Sequence, residues 1–222
     1  AQRVLATLGT VNCERVVLLT ARLAEAMGNS EDAGQRYVQY TTLVPNDAKG
    51  LAYFGAFLLD NRRYPQAEVA SQRASALDPS LVEVLLLRGR ILGLKGQMPE
   101  AKMAFTKAIE LSPNNPEIHY QVGVFHDGQQ QSHKAAASFE KVVRLTPNDP
   151  RAYDYLALNL EPTGDVARTE WAYQKGLSLN RGPRFDAFLD YNYGRFLMKQ
   201  NRLEEAKKHL NRAVLLTPQA RS

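Results

Sequence analysis

The chain has 222 residues, 44% of them hydrophobic and 23% charged, with a formal net charge of +5 at pH 7, the make-up of an ordinary folded protein. No apolar run approaches the ~20 residues of a membrane-spanning helix, and residues 1–10 lack the basic start and apolar stretch of a signal peptide. The single cysteine, Cys13, excludes an intramolecular disulfide.

In chain order, Ala6 lies 34 residues before Tyr40, in register with Ala74, Ala108 and Ala213. Residues 1–13 therefore read as the tail of a preceding repeat helix, and the absence of an initiator Met suggests a processed chain or an excerpt of a longer protein. From Glu14 onward one pattern recurs. Leu43, Leu77, Leu111, Leu145 and Leu179 stand 34 residues apart, and Pro45, Pro79, Pro113 and Pro147 follow the first four by two residues. Arg181 holds that place in the fifth unit. A fixed period of this length means one helix pair copied in tandem, and it predicts five 34-residue repeats over residues 14–181, starting at Glu14, Ala48, Val82, Pro116 and Pro150. An irregular insertion is expected at 182–186, around Gly182-Pro183-Arg184, then a sixth repeat over 187–218 starting at Ala187, and a tail at 219–222.

Within each unit the pattern is one of complementary sizes. The eighth position is small (Ala21, Gly55, Gly89, Gly123, Ala157, Gly194), and so is the twentieth (Ala33, Ala67, Ala101, Ala135, Thr169, Ala206). The twenty-fourth is bulky (Tyr37, Phe105, Phe139, Tyr173, Leu210) everywhere except at Ser71. Small residues let two helices approach, and the bulky one fills what they leave. Pro65 and Pro99 fall where a second helix starts, a place that tolerates the missing N–H. Gly96 and Gly164 fall in the turn between paired helices, and the Pro-Asn-Asp or Pro-Asn-Asn runs at Pro45, Pro113 and Pro147 supply caps for the next unit. The fifth repeat departs from the pattern with Pro162 near the end of its first helix. After the sixth no polar capping helix follows, so Leu203, Leu210 and Val214 are expected to leave apolar surface for a further repeat or a second chain.

These spacings resemble the tetratricopeptide repeat family, whose 34-residue helix–turn–helix unit has the same small–bulky–small pattern and closing Pro; the resemblance covers roughly residues 14–218. It implies an all-α, right-handed superhelical solenoid of antiparallel helix pairs. It also implies a concave groove lined by the first helix of each unit, at positions two, five, six, nine and twelve or thirteen. Carried over by position, the groove holds Arg22, Tyr53, Arg90, Tyr120, Asp154, Tyr155, Tyr191, Asn192 and Arg195, flanked by Arg15, Leu18, Lys49, Leu86 and Gln121. Tyrosine brings area with one polar tip and arginine forks onto carboxylates, so a partner protein or peptide bearing carboxylates is expected. The same tyrosines would equally serve helix–helix packing. The carboxylate clamp of chaperone-tail binders is not reproduced, since Leu18, Arg22, Tyr53, Glu83 and Leu87 occupy the corresponding places. The asparagine ladder of sugar-transferring relatives is also missing.

Other chemistry is poorly supported. His119, His126 and His133 stand seven apart, a helical rise of ~10.5 Å, too far for one ion; the first two read as packing residues. The whole charge excess lies in residues 180–222, with nine basic and four acidic groups. No RNA-binding or helix-turn-helix signature accompanies it, so a solvated face is expected there rather than nucleic-acid binding. Trp171 reads as shielding a neighbour or anchoring a partner. No nucleophile–base pair, phosphate loop or metal-spaced cluster is present, and no cofactor, metal or small-molecule substrate is expected. The expectation is a non-catalytic protein–protein interaction scaffold. The alternatives are a scaffold that self-associates end to end, or a regulatory repeat segment of a larger enzyme such as a glycosyltransferase.

Overall fold

The computed structural model describes residues 13–179 and 182–217, which hold twelve α-helices and no strand. No helix among them is long and apolar enough to cross a membrane. They fall into two compact units parted between Ser112 and Pro113. The first unit contains α1 (Cys13–Ala26), α2 (Ser30–Leu43), α3 (Ala48–Asp60), α4 (Tyr64–Leu77), α5 (Val82–Leu94) and α6 (Met98–Leu111). The second contains α7 (Pro116–Asp127), α8 (Ser132–Leu145), α9 (Pro150–Leu160), α10 (Val166–Ser178), α11 (Pro183–Lys199) and α12 (Leu203–Leu216), with a 3-10 turn at Glu161–Thr163. Consecutive helices pair antiparallel, and within each unit a pair packs on the next: α3 and α4 against α5, α9 and α10 against α11.

The size pattern is the packing code. A Cβ added to Gly89 would lie 2.8 Å from the Phe105 ring, one on Gly123 2.7 Å from Phe139, and one on Gly194 2.7 Å from Leu210. Ala33, Ala67, Ala101, Ala135, Thr169 and Ala206 are all buried, as are Tyr37, Phe105, Phe139 and Tyr173. Each expected cap forms: Asp47 accepts from the Lys49 and Gly50 amides, Asn115 from Glu117 and Asp149 from Arg151. Pro65 and Pro99 lie in the first turns of α4 and α6.

A further register emerges in the backbone. Gly28, Arg62, Gly96, Gln130 and Gly164 all have φ between 58° and 78°, and Asn201 follows at 59°. One left-handed residue therefore closes the turn of every pair. Three of the six are not glycine and bear the steric cost of that conformation.

Two expectations are corrected. The insertion at 182–186 is not irregular beyond Gly182, because α11 starts at Pro183 and runs 17 residues. Proline suits a first helical turn, where its N–H would be unbonded anyway, so the extra residues lengthen the helix. Cys13, placed by the sequence in the tail of an earlier helix, belongs to α1. Residues 1–12, Arg181, Pro218 and the tail at 219–222 lie outside the described residues. Pro162 ends α9 at Leu160 by tightening the chain into the 3-10 turn, which Gly164 closes at φ 78°.

Candidate functional site: two faces of tyrosine and arginine

In the first unit, the expected groove residues Arg22, Tyr53 and Arg90 come from α1, α3 and α5 and form a single network. The Arg22 guanidinium lies over the Tyr53 ring at 4.4 Å from its centroid. Tyr53 is half-buried, and its hydroxyl donates to Glu83 at 3.3 Å. Lys49 pairs with the same carboxylate at 2.7 Å and sits 5.8 Å from the Tyr53 centroid. The hydrogen bond to Glu83 raises the Lys49 pKa. Arg90 pairs with Asp60. Behind them the Tyr37 hydroxyl donates to Glu25 at 2.6 Å. Burial raises the Glu25 pKa, the Tyr37 bond opposes that rise, and Asp60 adds to it. Arg22 is exposed and takes part in no ion pair among the described residues, so its fork is open to an outside carboxylate.

In the second unit, Tyr120 and Tyr155 are half-buried around Phe139. Tyr155 stacks on that ring at 5.0 Å, while Tyr120 meets Phe139 edge-on at 5.7 Å and Tyr155 at 5.6 Å. Arg151 covers Tyr120 at 5.3 Å and is held by Asp149 at 2.8 Å. Burial, reinforced by Tyr155, pushes the Tyr120 pKa up. Tyr191 and Arg195 are exposed, the guanidinium 5.8 Å from the ring centroid.

Asp154 and Asn192 are a correction. Both are buried, at 4% and 3% exposure, and Asn192 Nδ2 donates to Asp154 Oδ1 at 3.1 Å. They tie α9 to α11 inside the core and offer no surface to a partner. Burial raises the Asp154 carboxyl to a pKa of about 6; the Asn192 bond lowers it and the charge of Glu161 raises it.

Sequence reasoning missed Glu83, Asp60 and Arg151, which complete the two faces. Glu83 and Arg151 occupy the second position of their units, one of the groove registers, so the signal was present. Only the pairing with a neighbour's tyrosine could not be read. His119 bonds the Pro113 carbonyl at 2.8 Å and His126 meets Gln131 at 3.1 Å. Among the described residues no cluster of His, Cys, Asp and Glu could hold a metal ion. Trp171 is half-exposed with its edge against Tyr153 at 5.8 Å. Much of the basic end is internally neutralised: Lys199 pairs with Glu161 at 2.7 Å, Arg202 with Glu170 at 2.7 Å and Arg212 with Asp190 at 3.2 Å.

A family model described as tetratricopeptide repeat matches residues 82–115, 116–149 and 191–219. No curated protein sequence matches significantly. Among solved structures, pilF of Pseudomonas aeruginosa is similar over 93% of this chain and 93% of its own, at 18% identity and a TM-score of 0.67. YrrB, described as a TPR protein with an unusual peptide-binding site, is 21% identical over 85% of this chain and 95% of its own, with a TM-score of 0.59. The APC/C hetero-tetramer Cut9-Hcn1 gives a TM-score of 0.77 at 15% identity, over 94% of this chain and 41% of the other. At such identities the likeness is one of fold.

Proposed function

This chain is a tetratricopeptide-repeat protein, and on that premise we propose that it is a non-catalytic scaffold that binds a carboxylate-bearing peptide or partner protein on its tyrosine–arginine faces. Proteins of this kind are generally interaction scaffolds. The observation that carries the finer reading is the open Arg22 guanidinium stacked on Tyr53, with Tyr191 and Arg195 offering the same exposed combination in the second unit. Stacking preorients the guanidinium, so less side-chain freedom is lost when a carboxylate docks. Tyrosine and arginine are also the residues enriched among binding hot spots.

The test is co-precipitation from native extract with the intact chain, an Arg22→Ala variant and a Tyr191→Ala/Arg195→Ala variant. All three changed residues are exposed or half-exposed, so helical content should be unchanged. Partners retained equally by both variants would reject the assignment, and a Tyr120→Ala/Tyr155→Ala double variant extends the test to the half-buried pair.

A second reading, self-association through the last helix pair, is favoured by the exposure of Phe188, Leu203, Val214 and Leu215, the last at 84%. Sedimentation at rising concentration tests it. A mass that stays monomeric, or that Leu215→Glu fails to change, rejects it.

A further inference from the structure

One face of α1 differs from the same face of later first helices. The third position of a repeat is buried where another repeat precedes it in the same compact unit, at Gly50, Val84, Ala152 and Leu189. The tenth position is buried likewise, at Phe57, Ile91, Asn159 and Phe196. In α1 these positions are Val16 and Leu23, 41% and 59% exposed, with Leu19 between them at 55%. Spaced three and four apart, the three share one side of the helix. In a tandem array that side is the one a preceding repeat covers.

The contacts of the later repeats specify what fits there. The third position lies against the twenty-seventh of the preceding second helix, and the two sizes compensate. A Cβ on Gly50 would collide with the Tyr40 ring, and one on Gly176 would lie 3.2 Å from Leu189. Ala74 and Val84, intermediate on both sides, are buried in one cluster. The tenth position meets the twenty-fourth, where the Phe57 and Tyr37 rings stand 5.2 Å apart. Ahead of α1, Ala6 holds the twenty-seventh place, ten residues before Val16, as Ala74 lies ten before Val84. Arg3 holds the twenty-fourth, and Asn12 the turn place of Asn46, Asn114 and Asn148.

We propose that the Val16–Leu19–Leu23 face is the docking site of residues 1–10 of this chain, which lie outside the described residues, seated as a second helix with Ala6 on Val16. The Ala6–Val16 pair repeats Ala74–Val84 in residue type and in spacing. Arg3 brings a long alkyl stem toward Leu23 and keeps its charge in water. A helix of ten residues does not hold itself in water, so the apolar face of α1 supplies the packing that fixes it. The contact uses the third, sixth and tenth positions. It leaves the groove position of Arg22 free and does not depend on the function proposed above.

The test is methyl NMR of the full chain with labelled alanine, valine and leucine, repeated on a mixture of labelled and unlabelled chains. Expected is a nuclear Overhauser contact between the Ala6 methyl and the Val16 methyls within one chain. The amides of residues 5–9 should exchange more slowly than in an unstructured chain by a factor on the order of ten. Ala6→Asp places a charge at a packed position, so it should abolish that protection and shift the Val16 and Leu19 methyls. Methyls of the second unit should stay where they are. The proposal is overturned if the Ala6–Val16 contact is missing, or if Ala6→Asp leaves the Val16 and Leu19 methyls unmoved. A contact found only between labelled and unlabelled chains would also overturn it, by assigning the face to a second copy.

Discussion

Asn192 donates to Asp154 across 3.1 Å, between two side chains 38 residues apart in sequence and buried side by side in the second unit. The bond has an energetic cost as well as a benefit. It satisfies one carboxylate oxygen, yet the carboxyl still sits away from water and near Glu161, and its pKa rises to about 6. A buried acid of this kind is easier to hold protonated than ionised.

The pH dependence follows with a definite sign. The folded-state pKa is above the ordinary value of 3.8, so between these values the native state binds more protons than the unfolded chain. Asp154 therefore contributes stability that is fully present below about pH 4 and lost as pH rises through about 6. Asp154→Asn keeps an acceptor for Asn192 and removes the titration. Urea midpoints measured from pH 4 to 8 should show the variant gaining on the natural chain above pH 6, by about 1–2 kcal/mol. Parallel curves would show that the carboxyl is not the titrating group.

The small eighth position is predicted to be intolerant of bulk. Gly123→Leu would drive a side chain into the Phe139 ring, whose nearest atom lies 2.7 Å from the position of a mere Cβ. Gly89→Leu meets Phe105 in the same way. Each should cost about 1–3 kcal/mol or more through overpacking. Unchanged denaturation midpoints in both variants would contradict the packing scheme.

Tyr173 and Tyr37 each donate from a buried ring to a carboxylate twelve residues earlier, Glu161 and Glu25, both at 2.6 Å. Tyr173→Phe keeps the ring packing and removes the bond. It should cost about 1–2 kcal/mol, the usual loss when one partner of a hydrogen bond to a charged group is deleted. Because Lys199 also holds Glu161, a Tyr173→Phe/Lys199→Ala cycle should be non-additive.

The left-handed turn residues make the opposite prediction. Gln130 adopts φ 58° with a side chain attached. Gln130→Gly relieves that strain while adding freedom to the unfolded chain. The balance should be a gain of about 0.5–1 kcal/mol, seen as a higher urea midpoint. The same substitution at Gln129, one residue away and without positive φ, should give no gain.

Much of the fold is legible because its packing partners recur at a constant interval. The rings of Phe105 and Phe139 meet Gly89 and Gly123 sixteen residues earlier, and the caps at Asp47, Asn115 and Asp149 act on their own next turn, so a periodic pattern names both members of each contact. The turns at Arg62, Gln130 and Asn201 were less visible. Their residue types carry weaker left-handed preference than glycine; the 34-residue spacing from Gly28 and Gly96 points to Arg62 and Gln130, while Asn201 falls 37 residues after Gly164, out of that register.

The amino-acid order by itself thus determined the helix pairs, their turns and the rings that lock them, since those contacts are short-range and repeated. Tertiary structure alone decided which groove-register residues meet solvent. Asp154 and Asn192 occupy the same registers as the half-buried tyrosines, yet they are sealed where α9 packs against an α11 that starts four residues ahead of its expected repeat. Burial at a given register depends on how closely the neighbouring helix approaches, which is a property of two elements together.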